Sequence, residues 1–325
     1  MLAAMTGPVG VLVMAYGTAE GPEDIGRYYT DIRGGRAPSS ELLAELRERY
    51  RAIGDRFPLL DITRAQAEGL QRELDAAEPG VFRTYLGMKH SPPWIADAVE
   101  ELRRDEVARV IGIVMAPHWS EMSIGSYRQR VEGALGEGGP AFTLVESFDE
   151  HPLFVQLLRE RLERTLATLD QEVRADAAVV FTAHSLPVRA LEDGSFRCKT
   201  CDACPDGCRY AGGLRATAGR AAAELGIGEI LTAWQSAGRT PDPWWGPPLE
   251  EVIAELAAAG RPAVVVCSAG FVADHLEILY DLDIEACRLA EDAGIAFART
   301  EMPNADPAYC RLLAAVVREH APDRA

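Results

Sequence analysis

The chain has 325 residues, with 33 lysines and arginines against 50 aspartates and glutamates, giving a formal net charge of −17. This excess of negative charge argues against functions that rest on neutralising phosphates, such as nucleic-acid binding or electrostatic attachment to anionic lipid. Hydrophobic residues make up 48% and charged residues 26%, as in a folded globular protein. The length suffices for about two domains that bury cores without disulfide support.

Eight short, apolar, β-branched runs predict strands. They cover residues 11–15, 81–86, 110–116, 142–145, 177–183, 229–234, 263–267 and 295–299. Intervening segments with i, i+3, i+4 apolar spacing predict amphipathic helices. These include 39–53, 61–75, 152–169 and 248–259. The alternation predicts an α/β fold of two doubly wound domains, 1–150 and 151–325, each with a roughly four-stranded parallel sheet.

No apolar run approaches the roughly 20 residues that a bilayer-spanning helix needs. The N-terminal run has no Lys or Arg ahead of it, so we interpret it as a first strand rather than a signal peptide. Seven cysteines, four of them within residues 198–208, indicate metal or cluster chemistry in a reducing compartment rather than disulfides. We therefore expect a cytoplasmic protein.

Ligands of doubly wound sheets bind at the carboxyl ends of the strands, so the residues there are the candidates for chemistry. His184 lies at such an end, in the string FTAHSLP. A histidine there is more often a structural residue than a ligand or a base, so its context must decide. No GxGxxG follows the first strand and no GxxxxGK[ST] occurs, so the motifs that cradle nucleotide phosphates are absent.

Three carboxylates, Glu277, Asp281 and Glu285, recur at i, i+4 and i+8 and would share one face of a regular helix. Such a stripe is usually a solvated surface. A row of carboxylates leading toward a neutral imidazole, however, suits a divalent cation of intermediate softness such as Fe²⁺.

Four cysteines follow the pattern C-x2-C-x2-C-x3-C at Cys198, Cys201, Cys204 and Cys208. Their polar surroundings argue against four unrelated buried thiols. The spacing favours an iron–sulfur cluster over zinc and does not fix its nuclearity, because Arg209 stands where proline follows in the ferredoxin run.

Cationic and aromatic residues near the early strand ends suit a cleft for a planar ligand that bears carboxylates. They are Tyr16, Arg33, Arg36, Arg49, Tyr50, Lys89, Trp119 and Tyr127.

Several strings carry a family resemblance, in this order: MAYGT, YYTDIRGGRAP, YLGMKHSPPWI, APHWS with GSY, TAHSLP, AWQSAGRTPDPWWGP, FVADHLEILYDLDIEA and EMPN. With them the chain resembles the ferrochelatases from about Val11 to its last helix. It most resembles the Gram-positive type, which inserts Fe²⁺ into coproporphyrin III and releases two protons; the alternative is the mitochondrial type, which uses protoporphyrin IX. The resemblance implies Rossmann-like, chelatase-type halves. Residues 1–150 would carry much of the porphyrin cleft, and 151–325 the metal site and the cysteine insertion.

The resemblance also implies roles for individual residues. His184 and Glu277 match the catalytic metal-site pair, and Asp281 and Glu285 match an acidic row proposed as an iron path or second metal site. Tyr16 matches an axial tyrosine. Four more residues match family positions that contact the tetrapyrrole: Arg33, Arg49, Tyr50 and Tyr127.

Two stretches depart from the family pattern. Residues 55–59 read DRFPL where relatives often have Gly-x-Ser-Pro-Leu, so Phe57 replaces an expected hydroxyl contact. The cysteines lie in an insertion that many relatives lack. Some bacterial members hold a [2Fe-2S] cluster through four such cysteines, and the resemblance implies the same cofactor here.

The implied partners are coproporphyrin III, or protoporphyrin IX, and Fe²⁺. We expect a monomer that makes transient contacts with neighbouring enzymes of the haem pathway. Other functions share part of the pattern: a haem or iron carrier, a cobalt chelatase, or an iron–sulfur regulatory protein with a vestigial cleft. The regulator would need the four cysteines but not His184 together with Glu277. The chain has both the cysteines and this pair, which favours the enzyme.

Overall fold

The computed structural model describes residues 7–191, 194, 196–201, 208–223, 225–227 and 229–321. It contains two parallel four-stranded sheets and one small antiparallel hairpin. The strands and helices alternate along the chain, as the apolar periodicity predicts.

The first sheet has the strand order β2-β1-β3-β4. Its strands are β1 Val9–Ala15, β2 Phe82–Met88, β3 Arg109–Val114 and β4 Ala141–Val145. The accompanying helices are α1 Ile25–Ile32, α2 Ser40–Ala52, α3 Leu59–Ala77, α4 Ile95–Arg104 and α5 Ser126–Leu135, the last preceded by a π-helical turn, Glu121–Gly125.

The later strands are β5 Ala178–His184, β6 Val188–Ala190, β7 Phe196–Cys198, β8 Glu229–Gln235, β9 Ala263–Cys267 and β10 Ala296–Arg299. The second sheet has the order β10-β9-β5-β8, and β6 pairs with β7 in the hairpin. The later helices are α6 Pro152–Ala167, α7 Gln171–Ala175, α8 Arg209–Ala222, α9 Leu249–Ala258, α10 Leu276–Leu279, α11 Cys287–Asp292 and α12 Pro307–Glu319. A π-helical turn, Asp281–Ala286, lies between α10 and α11.

Both sheets are buried on both faces, which explains their almost uninterrupted apolar strands. In β1, Val11 and Val13 pack into one core while Leu12 and Met14 pack into another on the opposite face. The first of these cores also contains Val179 of β5, so the two sheets share packed side chains.

The C-terminal part of the chain also packs against the first half. The buried Gln66 on α3 donates hydrogen bonds from Nε2 to the carbonyls of Val272 and Asn304, at 3.1 and 3.0 Å. Arg318 on α12 pairs with Glu78 just beyond α3, at 2.8 Å. Shared packing and these bonds hold the two halves together.

The α/β fold and all eight predicted strands are confirmed, with ends that differ by a few residues. The β6–β7 hairpin was not predicted, because strands of three residues carry no readable alternation. A domain boundary at residue 150 stays a prediction. Among the described residues, no helix is long and apolar enough to cross a membrane.

The close approach of β5 to the segment after β9 gives a test of the packing. A Cβ on Gly270 would lie 2.5 Å from the Cβ and 2.6 Å from the Cα of Ala183. Gly270→Ala should therefore lower the free energy of unfolding by about 1–3 kcal/mol in urea titrations. The matched change Gly219→Ala, on an exposed part of α8 with nothing within 4 Å, should raise it by about 0.5–1 kcal/mol. An unchanged urea midpoint for Gly270→Ala would contradict the packing.

Candidate active site

The end of β5 and the start of α10 bring His184 and Glu277 together. His184 Nε2 lies 3.7 Å from Glu277 Oε1, and the two side chains are 33% and 32% exposed. His184 Nδ1 contacts the backbone carbonyl of Ser185. A carbonyl oxygen only accepts hydrogen bonds, so Nδ1 carries a proton, and Nε2 is the nitrogen left to meet a proton or a metal.

A second histidine, His275, flanks the same carboxylate. Its Nε2 lies 3.7 Å from Glu277 Oε2, and its Nδ1 is 2.9 Å from the carbonyl of Ala273. The ring of Phe271 lies 4.9 Å from that of His275 and 6.4 Å from that of His184. His275 was not predicted as a site residue, although it stands two residues before Glu277 in the string ADHLE.

The two imidazoles set the charge of this cluster. Burial alone would raise the pKa of Glu277, but the neighbouring His184 and His275 outweigh it and hold the pKa at about 2. Burial opposes protonation of His275, and the Glu277 carboxylate outweighs that effect and raises the His275 pKa. Glu277 is therefore a fixed negative charge at neutral pH.

Gln235 at the end of β8 holds both members of the pair. Its Nε2 donates to the backbone carbonyl of Glu277 at 3.2 Å, and its own carbonyl accepts from the Ser185 N–H at 2.7 Å. Its Oε1 accepts from Thr182 Oγ1 at 2.8 Å and from Ser268 Oγ at 3.2 Å. This buried side chain connects the ends of β5, β8 and β9 to the backbone of Glu277. In the sequence it was noted only within the string AWQS.

The other two acidic residues are held by a cation from the first half of the chain. Arg49 on α2 lies 3.0 Å from Asp281 Oδ1 and 3.4 Å from Glu285 Oε2, with its guanidinium carbon 4.6 Å from the centre of the Tyr280 ring. Ser236 donates to Asp281 Oδ2. Burial and the nearby Glu277 charge raise the pKa of Asp281 to about 6, against the opposing effect of Arg49.

The segment that carries the three carboxylates is not one regular α-helix, although the charges of Glu277 and Glu285 both act on Asp281. A π-helical turn spans Asp281–Ala286, so the 3.6-residue period that the spacing argument assumes does not continue past α10. Glu277 meets His184, whereas Asp281 and Glu285 meet Arg49.

Aromatic residues and a lysine lie at the ends of the first-sheet strands. Tyr16, just beyond β1, is 43% exposed. Lys89 Nζ lies 5.8 Å from the ring centre of Tyr16 and 5.1 Å from that of the buried Tyr127, and it donates to Ser126 Oγ at 2.6 Å. Burial, with the nearby Arg130, lowers the pKa of Lys89 to about 8. Burial raises the pKa of both tyrosines.

The remaining predicted porphyrin contacts lie on α1 and α2. Arg33 follows α1, and its buried Nε has no hydrogen-bond partner in the described part of the chain. Tyr50 is buried in a small core with Leu279 of α10. Phe57, where the sequence departs from the family, stacks on Tyr50 at 4.5 Å between ring centres and so fills that space with a ring.

Three of the four cysteines in the insertion converge in the structure. Cys198 ends β7 and Cys208 precedes α8, with their sulfurs 2.8 Å apart. Cys201 is also buried, and the Trp245 indole N–H donates to Cys198 Sγ at 3.3 Å. Cys204 lies outside the described residues. Within those residues, no set of three or more His, Cys, Asp or Glu is arranged to hold a metal ion.

The fold is that of the tetrapyrrole chelatases. The sirohydrochlorin chelatase SirB of Bacillus subtilis subspecies spizizenii, solved with cobalt, aligns with a TM-score of 0.54 at 9% identity, over 96% of this chain and 94% of that one. CbiX, the terminal enzyme of sirohaem biosynthesis in denitrifying bacteria, aligns with a TM-score of 0.51 at 11% identity, over 96% and 100%. At such low identity these similarities establish the fold alone.

The sequence comparisons identify the family. The ferrochelatase family model matches residues 8–321, and the chain belongs to the ferrochelatase family. It is 42% identical over 315 residues to the coproporphyrin III ferrochelatase of Anoxybacillus flavithermus, over 96% of each chain. It is also 42% identical over 312 residues to the coproporphyrin III ferrochelatase of Bacillus subtilis strain 168, over 95% of this chain and 96% of the relative.

The raised pKa of Asp281 gives a pH test. Its folded-state pKa of about 6 exceeds the ordinary value, so the wild type loses stability as the pH rises from about 4 to 6. Asp281→Asn removes that loss. The free energy of unfolding of the variant relative to the wild type should therefore increase by about 1–3 kcal/mol over this interval and stay level above it. Urea titrations with a metal chelator measure it, and a pH-independent difference would contradict the assignment.

Proposed function

We propose that the protein inserts Fe²⁺ into coproporphyrin III, giving Fe-coproporphyrin III in haem biosynthesis. The observation that carries the proposal is the His184–Glu277–His275 cluster, in which an ionised carboxylate and an imidazole Nε2 face the same space at the strand ends. The relatives named coproporphyrin III ferrochelatase support the choice of porphyrin.

Insertion requires a base for the pyrrole protons and a site that attracts Fe²⁺. A carboxylate with a pKa near 2 is a poor proton acceptor at neutral pH. We therefore assign acceptance of the two pyrrole protons to His184 Nε2, one after the other, because this partly exposed imidazole can pass the first proton to solvent before it takes the second. Glu277 attracts the cation and stabilises the imidazolium that forms. The proposal thus gives His184 and Glu277 different roles, which the sequence alone left open.

The first half of the chain supplies the proposed porphyrin contacts. Tyr16 is exposed beside Lys89, and its hydroxyl would be the tyrosine contact to the inserted Fe²⁺ that the family resemblance implies. The unpartnered Nε of Arg33 suits a propionate, of which coproporphyrin III has more than protoporphyrin IX. In this assignment residues 1–150 provide the macrocycle contacts and residues 151–325 the metal-site pair, with Tyr50 and Tyr127 as buried supports.

Asp281 and Glu285 complete the proposed route for iron. Both share the guanidinium of Arg49, and Asp281 is close enough to Glu277 for their charges to interact. An incoming cation would displace Arg49 from the carboxylates and then pass to Glu277. Their order along the chain leads from the more exposed Glu285 to the reacting pair.

The function is tested by anaerobic assays with Fe²⁺ and either coproporphyrin III or protoporphyrin IX. His184→Ala and Glu277→Gln should each reduce turnover by at least 100-fold, because each removes a group that acts on the proton or the metal. Porphyrin affinity, measured by fluorescence titration, should stay within about threefold. His320→Ala, at the far end of α12, is the matched control and should retain wild-type turnover. A preference for protoporphyrin IX would contradict the proposed substrate, and wild-type turnover in His184→Ala or Glu277→Gln would contradict the role given to that residue.

We further propose that the cysteine segment holds a [2Fe-2S] cluster. The residues fit such a group, since three buried thiols converge and an indole N–H donates to one sulfur, as outer hydrogen bonds do in cluster sites. The hydrogen bond from Cys198 lowers the pKa of Cys208 to about 6, so this thiol readily becomes the thiolate that a cluster needs. Cys204 would supply the fourth ligand. Metal insertion transfers no net electrons, so we assign the cluster no step in it.

Cysteine variants test the cluster. Protein purified anaerobically should contain about two iron atoms and two sulfides per chain with visible cluster absorption, whereas Cys198→Ser and Cys208→Ser should lose both. Cys310→Ser, which changes a buried thiol on α12, should keep them. Bound zinc, or four irons per chain, would overturn the proposed cofactor.

A further inference from the structure

The backbone of His184 is held by a tyrosine from the helix that follows the cysteines. Tyr210 lies in the first turn of α8, two residues after Cys208, and is 7% exposed. Its hydroxyl donates to the carbonyl of His184 at 2.9 Å. The rings of the buried His118 and Tyr210 meet edge to face, with their centres 6.2 Å apart. The hydroxyl therefore fixes the peptide that follows His184.

A stack of three aromatic rings leads from this tyrosine to the cysteines. Tyr210 and Trp234 have ring centres 5.3 Å apart, and Trp234 and Trp245 are stacked at 5.9 Å. The Trp245 indole N–H donates to Cys198 Sγ at 3.3 Å. Such large side chains have few rotamers and pack closely, so a displacement at one end of the stack is transmitted to the other.

The main chain makes a second connection between the same two places. Ser185 Oγ donates to the carbonyl of Trp245 at 2.8 Å. The segment after His184 enters β6, whose Val188 pairs with Cys198 in the hairpin. Lys199 N–H donates to the carbonyl of Pro187 at 2.9 Å. The residues that follow His184 are thus attached to the cysteine segment by main-chain and side-chain hydrogen bonds.

We propose that Tyr210 is a positioning residue for His184, and that Tyr210, Trp234 and Trp245 couple the packing of the cysteine segment to the orientation of the His184 imidazole. The inference rests on the proposed function, in which His184 meets the pyrrole proton. Tyr210 holds the carbonyl of the 184–185 peptide, and His184 Nδ1 contacts the carbonyl of the next peptide, that of Ser185. Fixing the first peptide limits where the Ser185 carbonyl lies, and hence where Nε2 points. Loosening of the cysteine segment would move Tyr210 and misdirect Nε2.

Removal of the hydroxyl alone tests the positioning role. Tyr210→Phe keeps the ring stack and should lower kcat about three- to tenfold, as expected for one lost buried hydrogen bond, with KM for coproporphyrin III within twofold. Rates are normalised to porphyrin-binding sites, so loss of folded protein does not contribute. Tyr309→Phe is the matched control: it removes the hydroxyl of another buried tyrosine, which meets Met115 Sδ at 3.6 Å, and should leave both constants unchanged. A wild-type kcat for Tyr210→Phe would overturn the positioning role.

The coupling has a readout that does not depend on turnover. Because coupling between two sites is reciprocal, porphyrin bound at His184 should protect the cysteine segment. In native protein, coproporphyrin III should slow iodoacetamide alkylation of Cys198, Cys201 and Cys208 at least threefold, whether the thiols react directly or after they dissociate from the proposed cluster. Alkylation is followed by mass spectrometry with Cys310 as internal reference. In Tyr210→Phe the protection should fall below twofold.

The outcomes separate this inference from the proposed function. Wild-type protein that binds coproporphyrin III without protecting the cysteines would overturn the coupling, whatever its turnover. Equal protection in Tyr210→Phe would overturn the part assigned to the tyrosine. Protein that shows Tyr210-dependent protection and yet inserts no iron would overturn the proposed function and leave the coupling established.

Discussion

The proposed active site depends on the contact between one imidazole and one carboxylate that are 93 residues apart in sequence, with His184 Nε2 3.7 Å from Glu277 Oε1. The parallel sheet makes this meeting possible, since the strands deliver their carboxyl ends to a single edge. Gln235 then fixes the spacing, because it bonds to the Glu277 backbone and to the residue after His184. A hydrogen-bonded side chain fixes this geometry more narrowly than loop packing could.

The same edge brings opposite electrostatic conditions close together. Glu277 lies between two histidines, which favour its charge, whereas Asp281 lies among carboxylates and is partly desolvated, which disfavours it. Two acidic residues four positions apart therefore titrate on either side of the ordinary carboxyl range. Their spacing in the sequence gives no reason for their pKa values to differ; the difference comes from the charges and burial around each carboxylate.

The sequence was sufficient for the strands, because runs buried on both faces are apolar throughout and easy to recognise. It was also sufficient to single out His184 and Glu277 as candidates. It could not identify His275 or Gln235, whose importance comes from tertiary contacts to Glu277 rather than from any pattern of their own. The π-helical turn escaped prediction as well, because apolar periodicity assumes a regular helix.

That π-helical turn, Asp281–Ala286, also separates two requirements placed on the same stretch of chain. A π turn accommodates an extra residue, and each residue of an α-helix advances by about 100° around the axis, so the turn shifts the phase of everything that follows it. Ala290 on α11 can then face the core against α9, while Glu277 on α10 still faces His184. A single-residue deletion within 281–286 would turn the segment into one regular helix. Ala290 could then no longer face the core while Glu277 faces His184. The length of this segment is therefore constrained more tightly than its composition.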